Sequence, residues 1–316
     1  MKIVVLDSYA ANPGDLSWDF LSRFGEYEEY KWTKPDELID RAKGKDIIIC
    51  NKMRIGETAM KELAENGLKF ITLLATGYDA IDVNAAAKYG VKVSNVPAYS
   101  TYMVAQHTFA LILELFDKTA AHDRAVKDGE WSKTSSFSLY KGTIYELSGK
   151  TLGIIGYGRI GKRVAKIAES FGMNVIVYSR SRTDDQSVKQ TDLDTLLKAS
   201  DIVTLHCPLT DKTRGLIGYK ELQKMKKTAY IINTSRGPVI DEGALADALN
   251  RGEIAGAGLD VIETEPARED CEIIKAKNTV ITPHIAWAGL ETRKRLLEIT
   301  SENIRAFIEG HPQNLV

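Results

Sequence analysis

Gly156-Tyr157-Gly158-Arg159-Ile160-Gly161 decides the fold because of what surrounds it. The apolar run Thr151–Ile155 before it reads as a buried parallel strand. After it, Lys162–Phe171 carries Val164, Ile167, Ala168 and Phe171 at helical spacing, and Asn174–Tyr178 is a second apolar run. Strand, glycine turn, helix and strand in this order make a βαβ unit. Gly156 permits the tight turn, Gly158 lets the backbone approach a pyrophosphate, and Gly161 lets the helix pack on the strand. The helix start offers free N–H groups and the positive dipole end to an anion, and Arg159 and Ile160 of the glycine-rich stretch are candidate cofactor-binding residues with the glycines. The motif in this setting predicts dinucleotide binding. A glycine turn in an ordinary α/β protein is the alternative.

The end of the second strand bears on which dinucleotide. An Asp or Glu there would accept hydrogen bonds from the ribose 2′-OH of NAD. Here the position is Ser179, followed by Arg180, Ser181 and Arg182. No carboxylate repels a 2′-phosphate, and two guanidiniums and two hydroxyls are available to bind one. NADP is expected in preference to NAD, against the alternative of a solvated basic loop.

A chain of 316 residues has room for two cores, and 44% hydrophobic with 27% charged residues is ordinary for a globular protein. A net charge of −1 gives no sign of a nucleic-acid or membrane partner. Cys50, Cys207 and Cys271 are scattered, without metal-ligand spacing or a disulfide framework, so no metal is expected. A reducing compartment fits that pattern. The N-terminus reads as a strand rather than a signal peptide, and no apolar stretch approaches the ~20 residues of a membrane span. A cytoplasmic protein is expected.

Residues 1 to 97 alternate strands, at Ile3–Asp7, near Tyr27–Trp32, Asp46–Cys50, Phe70–Ala75 and Lys92–Ser94, with helices at Asp15–Phe24, Lys34–Ala42, Thr58–Asn66 and Asp82–Tyr89. Such alternation implies a parallel sheet covered on both faces. One long helix is expected from about Thr101 to Asp128. The aromatic-rich segment Gly129–Gly149 is read as an arm or loop, the kind of exposed feature that marks interfaces. From Thr151 a second α/β region follows, with strands at Ile202–His206, Tyr230–Asn233, Gly256–Val261 and Val280–Thr282. An amphipathic helix spans Gly289–Glu309. Arg182–Gln190 is the one candidate for disorder.

Three polar residues occur close after predicted strands of this region. Arg236 lies in Asn233–Gly237, Glu265 precedes Pro266, and His284 follows Pro283. Open α/β sheets bind ligands at that edge. A His with a carboxylate partner suits acid–base work, and an Arg can clamp a substrate carboxylate. Each has a plainer reading: a loop ion pair, a surface carboxylate and a loop-packed histidine. Spacing alone does not bring them together.

Over its whole length the chain resembles the D-isomer-specific 2-hydroxyacid dehydrogenases. The stretches that carry the resemblance are Ala75–Asp79, Val104–His107, Gly156–Gly161, Leu205–Leu209, Asn233–Gly237, Gly258–Asp260, Glu265-Pro266 and Pro283-His284. Within the family it is most similar to the glycerate dehydrogenases, also called hydroxypyruvate reductases, through Asn51-Lys52, Asn95–Pro97, Tyr99-Ser100 and Pro283–Trp287. The resemblance implies two doubly wound parallel-sheet domains. A Rossmann cofactor domain, 98–288, is inserted into a flavodoxin-like substrate domain, 1–97 plus 289–316, with closure of the two on ligand.

It also implies roles. Arg236 would orient a 2-oxo acid, and His284 would protonate its carbonyl oxygen as hydride arrives, with Glu265 favouring the protonated imidazole. Ala75, Thr76 and Gly77 would bind the substrate carboxylate, with Lys52 and Trp287 beside the rest of the substrate. Asp260 would hydrogen-bond the nicotinamide carboxamide, and Cys207, Pro208, Thr234 and Ser235 would line the cofactor cleft. His107 and His206 are read as structural. The implied activity is NAD(P)H-dependent reduction of hydroxypyruvate, and of glyoxylate, by a homodimer. Rivals are a D-lactate or 3-phosphoglycerate dehydrogenase, or a dinucleotide-sensing corepressor of similar fold.

Overall fold

Twelve short strands form in a computed structural model that describes residues 1–316, and every strand pairing is parallel. The chain divides into two units, Met1–Ser100 with Ala288–Val316, and Thr101–Trp287.

In the first unit β1 (Lys2–Val5), β2 (Glu26–Glu29), β3 (Ile47–Cys50), β4 (Phe70–Leu73) and β5 (Lys92–Ser94) lie in the order 2-1-3-4-5. That is the flavodoxin-like order, with its switch point between β1 and β3. Val4, Ile48, Ile71 and Val93 pack against Leu38, Met60, Leu63 and Ala85, which come from α1 (Leu38–Ala42), α2 (Glu57–Glu65) and α3 (Val83–Lys88). On β4 the C-terminal helix, Leu290–Ile308, stacks Phe307 on Phe70 at a centroid distance of 4.4 Å. Leu296 and Ile304 of that helix are fully buried. Burial of each such side chain stabilises by about 1.5–3 kcal/mol.

The second unit opens with α4 (Thr101–Asp117) and α5 (Thr119–Lys127). One continuous helix was the expectation, and it is wrong. Lys118 adopts the left-handed conformation at φ 53°, and the carboxylate of Glu114 accepts from Thr119 Oγ1 at 2.7 Å, holding the start of α5. Asp15–Phe24 likewise forms only a 3-10 turn, Asp19–Arg23, because Asn12 holds residues 14 and 16 through its side chain.

β6 (Thr151–Ile155), β7 (Asn174–Tyr178), β8 (Lys189–Gln190), β9 (Ile202–Leu205), β10 (Tyr230–Asn233), β11 (Gly256–Leu259) and β12 (Thr279–Ile281) take the order 12-11-10-9-6-7-8. Read from β6, this is the doubly wound dinucleotide-binding order extended by one strand. Its helices are α6 (Arg159–Ser170), α7 (Leu193–Ala199), α8 (Tyr219–Leu222), α9 (Glu242–Arg251) and α10 (Glu272–Lys275). Both faces are buried, so alternate residues serve two cores. Ile155, Val203, Leu205 and Ile231 join one, while Ile154, Ile202 and Ile232 join the other. The residues 182–190 expected to lack order instead carry β8 and a network of side-chain hydrogen bonds. No helix is long and apolar enough to cross a membrane.

Candidate active site

Strand register sets the site of the second unit. Ile155 pairs with Tyr178 and with Leu205, Leu205 with Asn233, Asn233 with Leu259, and Leu259 with Ile281. Six strands therefore end in one row. The residues just beyond that row are Gly156, Ser179, Cys207, Thr234 to Arg236, Asp260, and Thr282 to His284.

At one end of the row His284 Nδ1 meets Glu265 Oε2 at 2.6 Å. The two side chains are 23% and 32% exposed, so the pair is accessible to a ligand yet shielded enough to keep one geometry. A carboxylate on Nδ1 fixes the proton there and leaves Nε2 for exchange with a ligand. Glu265 Oε1 in turn accepts from the Ile262 N–H, and the Glu265-Pro266 peptide is cis.

His284 is one of five non-glycine residues at positive φ, here 56°. Asp260 forces that conformation. Its backbone carbonyl accepts from the His284 N–H, and its carboxylate accepts from the N–H groups of Ile285 and Ala286 at 2.9 and 2.8 Å. Thr282 Oγ1 donates to it at 2.6 Å and bonds His107 Nε2 at 2.9 Å. Asp260 is only 1% exposed, so these contacts offset a large desolvation cost. Sequence reading gave Asp260 to the nicotinamide and missed this work. An Asp closing an apolar strand was the available signal, because a buried carboxylate must find donors.

Arg236 is half-buried and extended, and its Nη1 donates to the Ser235 carbonyl at 2.8 Å. Asn233 shapes the loop by accepting from Ser235 N–H and Oγ and donating to the Arg236 carbonyl. At Gly237 any Cβ would lie 1.8 Å from the Ile262 carbonyl oxygen. Glycine is therefore what lets the Arg236 loop lie against the segment leading to Glu265. Thr234 is buried and bonds Thr108 of α4 at 3.1 Å. Cys207 is half-buried, and burial pushes its thiol up, as suits packing rather than nucleophilic work. Pro208 is exposed, and its carbonyl accepts from Thr213.

The glycine-rich turn fits a dinucleotide. Gly156 has φ 97°, and a Cβ at Gly161 would meet the Gly156 carbonyl at 2.3 Å. At Gly158 a Cβ would meet nothing within 4 Å, and its backbone conformation is open to any residue. Glycine there leaves room at the N-terminus of α6, which no side chain caps. Arg159 is exposed and Ile160 half-buried in that first turn. Ser179 is half-buried, and Arg180 and Arg182 are exposed. The unit holds no cluster of three His, Cys, Asp or Glu side chains able to bind a metal, nor does the first unit.

In the first unit the expected substrate residues follow β3 and β4. Asp7, beyond β1, accepts from the N–H groups of Asn51, Lys52 and Met53 at 2.7, 2.6 and 3.1 Å. Burial raises its carboxyl above the ordinary range against the pull of those amides. Asn51 Nδ2 donates to the Leu74 carbonyl, and Thr76 Oγ1 to the Val96 carbonyl. The loop Ala75–Gly77 is thus held by its side chains and carbonyls. Its three N–H groups donate to no protein acceptor. Tyr99 is buried, and its carbonyl accepts from Arg295. Trp287 closes the chain of the second unit, half-buried.

Comparison with known proteins places these features. Residues 109–286 match the D-isomer specific 2-hydroxyacid dehydrogenase, NAD binding domain. The chain is 42% identical to a hydroxypyruvate reductase of Blautia hydrogenotrophica, over 100% of this chain and 99% of that one. It is also 42% identical to a glyoxylate reductase of Thermococcus litoralis, over 94% and 92%. Among solved structures, an acyclic imino acid reductase in complex with NADPH and D-Arg superposes with a TM-score of 0.86 at 34% identity, covering both chains fully. The protein belongs to the D-isomer specific 2-hydroxyacid dehydrogenases.

Proposed function

We propose that the protein reduces hydroxypyruvate, and also glyoxylate, to D-glycerate and glycolate, with NADPH in preference to NADH. The observation that carries this reading is the row of strand ends, where Arg236 and the Glu265–His284 pair follow neighbouring parallel strands. The names of the two reductase relatives support the substrates.

A nicotinamide cofactor, when bound, would supply the hydride that reduces the carbonyl carbon of the 2-oxo acid. His284 Nε2 gives a proton to the carbonyl oxygen, and Glu265, on Nδ1, stabilises the imidazolium before that transfer. Arg236 pairs with the substrate carboxylate and polarises the carbonyl. In the first unit Ala75, Thr76 and Gly77 offer N–H groups to a substrate carboxylate and Lys52 is a further substrate-binding residue; in the second unit Trp287 has that role. Cys207, Pro208, Thr234 and Ser235 line the cofactor cleft, and Gly156, Gly158, Arg159, Ile160 and Gly161 receive the pyrophosphate. Asp260 has one donor on Oδ2, which leaves a lone pair for the carboxamide. Ser179, Arg180 and Arg182 read the 2′-phosphate. Residues 1–97 with 289–316 serve as the substrate domain and 98–288 as the cofactor domain.

The working form is a homodimer built through the second unit, supported by the exposure of Tyr102, Phe137 and Tyr140 at 65%, 91% and 71%. Three free cysteines support a reducing, cytoplasmic setting. A panel of 2-oxo acids with each cofactor tests the reading. Hydroxypyruvate with NADPH should give the highest kcat/KM. Faster turnover of pyruvate or phosphohydroxypyruvate would overturn the substrate, and faster turnover with NADH the cofactor.

A further inference from the structure

We propose that Gln190 is a positioning residue that shapes the cofactor-specificity loop into an anion site; this rests on the NADPH preference proposed above. Gln190 ends β8, the edge strand, paired with Val177. Its Nε2 donates to the carbonyls of Ser179 and Ser181, both at 3.0 Å, and its Oε1 accepts from the Thr183 N–H at 2.9 Å. One side-chain amide thus engages alternate peptide groups of the loop that carries Arg180 and Arg182.

The consequence is electrostatic. Two carbonyl oxygens that would repel a phosphate are tied to Gln190. The N–H groups of Arg180, Ser181 and Arg182 donate to no protein acceptor, and neither guanidinium has a carboxylate partner. Donors and positive charge are left for a ligand. The loop has a second anchor in Asp185, which accepts from Tyr157 Oη at 2.7 Å and from Ser187 N–H and Oγ. Tyr157 belongs to the glycine-rich turn, so the far end of the loop is fixed to the segment that takes the pyrophosphate. Those donors hold the Asp185 carboxyl down to about 2 and engage its charge, which leaves Asp184 as the exposed carboxylate nearby.

Calorimetric binding of 2′,5′-ADP and of 5′-AMP separates the 2′-phosphate from the rest of the nucleotide. In Gln190→Leu the Kd for 2′,5′-ADP should rise about tenfold, the loss of one charge-assisted contact, while 5′-AMP binding and the KM for NADH stay unchanged. Gln190→Met carries the same test should the branched side chain prevent folding. Equal weakening of both nucleotides would make Gln190 a support of the fold and overturn the proposal. Arg180→Ala with Arg182→Ala is the companion variant. If it abolishes the 2′,5′-ADP advantage and Gln190→Leu does not, the role of Gln190 alone fails. If the unaltered protein binds both nucleotides equally and the arginine variant changes neither, the NADPH reading fails and takes this proposal with it.

Discussion

The turn that carries His284 and the loop that follows β7 leave the same edge of one sheet, and they are held in opposite ways. Around His284 three consecutive amide groups converge on Asp260, one on its backbone carbonyl and two on its carboxylate, in a residue 1% exposed. Beyond β7 a single neutral amide, Gln190, engages peptide groups of an exposed loop. The first arrangement costs desolvation and fixes one geometry. The second costs little and leaves two arginines to solvent and ligand. In the proposed function, chemistry that tolerates no misplacement rests on the first kind of support, and the proposed choice between NADPH and NADH on the second.

The largest expected effect breaks the first region at its tip. His284→Ala should lower kcat by roughly 10²–10⁴-fold, the usual contribution of a general acid, with cofactor affinity unchanged. Stopped-flow turnover and fluorescence titration with NADPH would measure both. A kcat within the wild-type range removes His284 from the chemistry.

Asp260→Asn attacks the support beneath it. The asparagine keeps the volume but offers one acceptor oxygen, so one buried amide loses its partner. Stability should fall by about 1–3 kcal/mol in urea denaturation, and kcat should fall with it. If stability is untouched and only cofactor binding weakens, the carboxylate serves the ligand and not the turn.

The third prediction concerns acid. Both ring nitrogens of His206, next along the row, are sealed from solvent without a hydrogen-bond partner, although the residue as a whole is half-buried. Burial pushes its pKa down to about 3. The unfolded chain takes up the proton below pH 6.5 and the native one does not. The stabilising contribution is therefore complete above pH 6.5 and drains as pH falls towards 3, by up to about 1.4 kcal/mol per unit. His206→Asn should have a shallower loss of stability between pH 6 and pH 4.5. Equal slopes would show that the ring is protonated in place.

The smallest effect sharpens the second region. Ser179→Asp with Arg180→Ala should shift the kcat/KM ratio from NADPH towards NADH by about ten- to a hundredfold, with saturated turnover little changed. Raising ionic strength should shrink the wild-type preference in the same direction. A ratio indifferent to both would make the basic loop an ordinary solvated surface.

How far the molecule could be read beforehand follows the same division. Parallel strands buried on both faces are continuous apolar runs, so β3, β4, β6, β7, β9 and β10 were visible in the sequence. The glycine-rich turn was visible because backbone approach admits one residue type. The break at Lys118 was not, since a lysine in left-handed conformation has no signature and its compensating contact comes from Glu114. β8 escaped because two residues carry no periodicity. At the site, Arg236, Glu265 and His284 stood out by residue type and position after strands. Only register and the close approach at Gly237 bring the Arg236 loop against the Glu265 segment. Asp260 and Gln190 were harder to read, because each acts through the backbone of other residues.

The aligned register has a consequence for tolerance to change of length. The sheet works as a ruler, each strand advancing about 3.3 Å per residue, and the six segments that follow these strands begin at a common mark. Lengthening the 182–188 segment would leave that mark in place. Inserting one residue inside β10 would push Arg236 past its neighbours and turn each strand side chain after the insertion to the opposite core. Length variation among working relatives should therefore gather between strands, and single-residue insertions within β9, β10 or β11 should be lethal to activity even where the chain still folds.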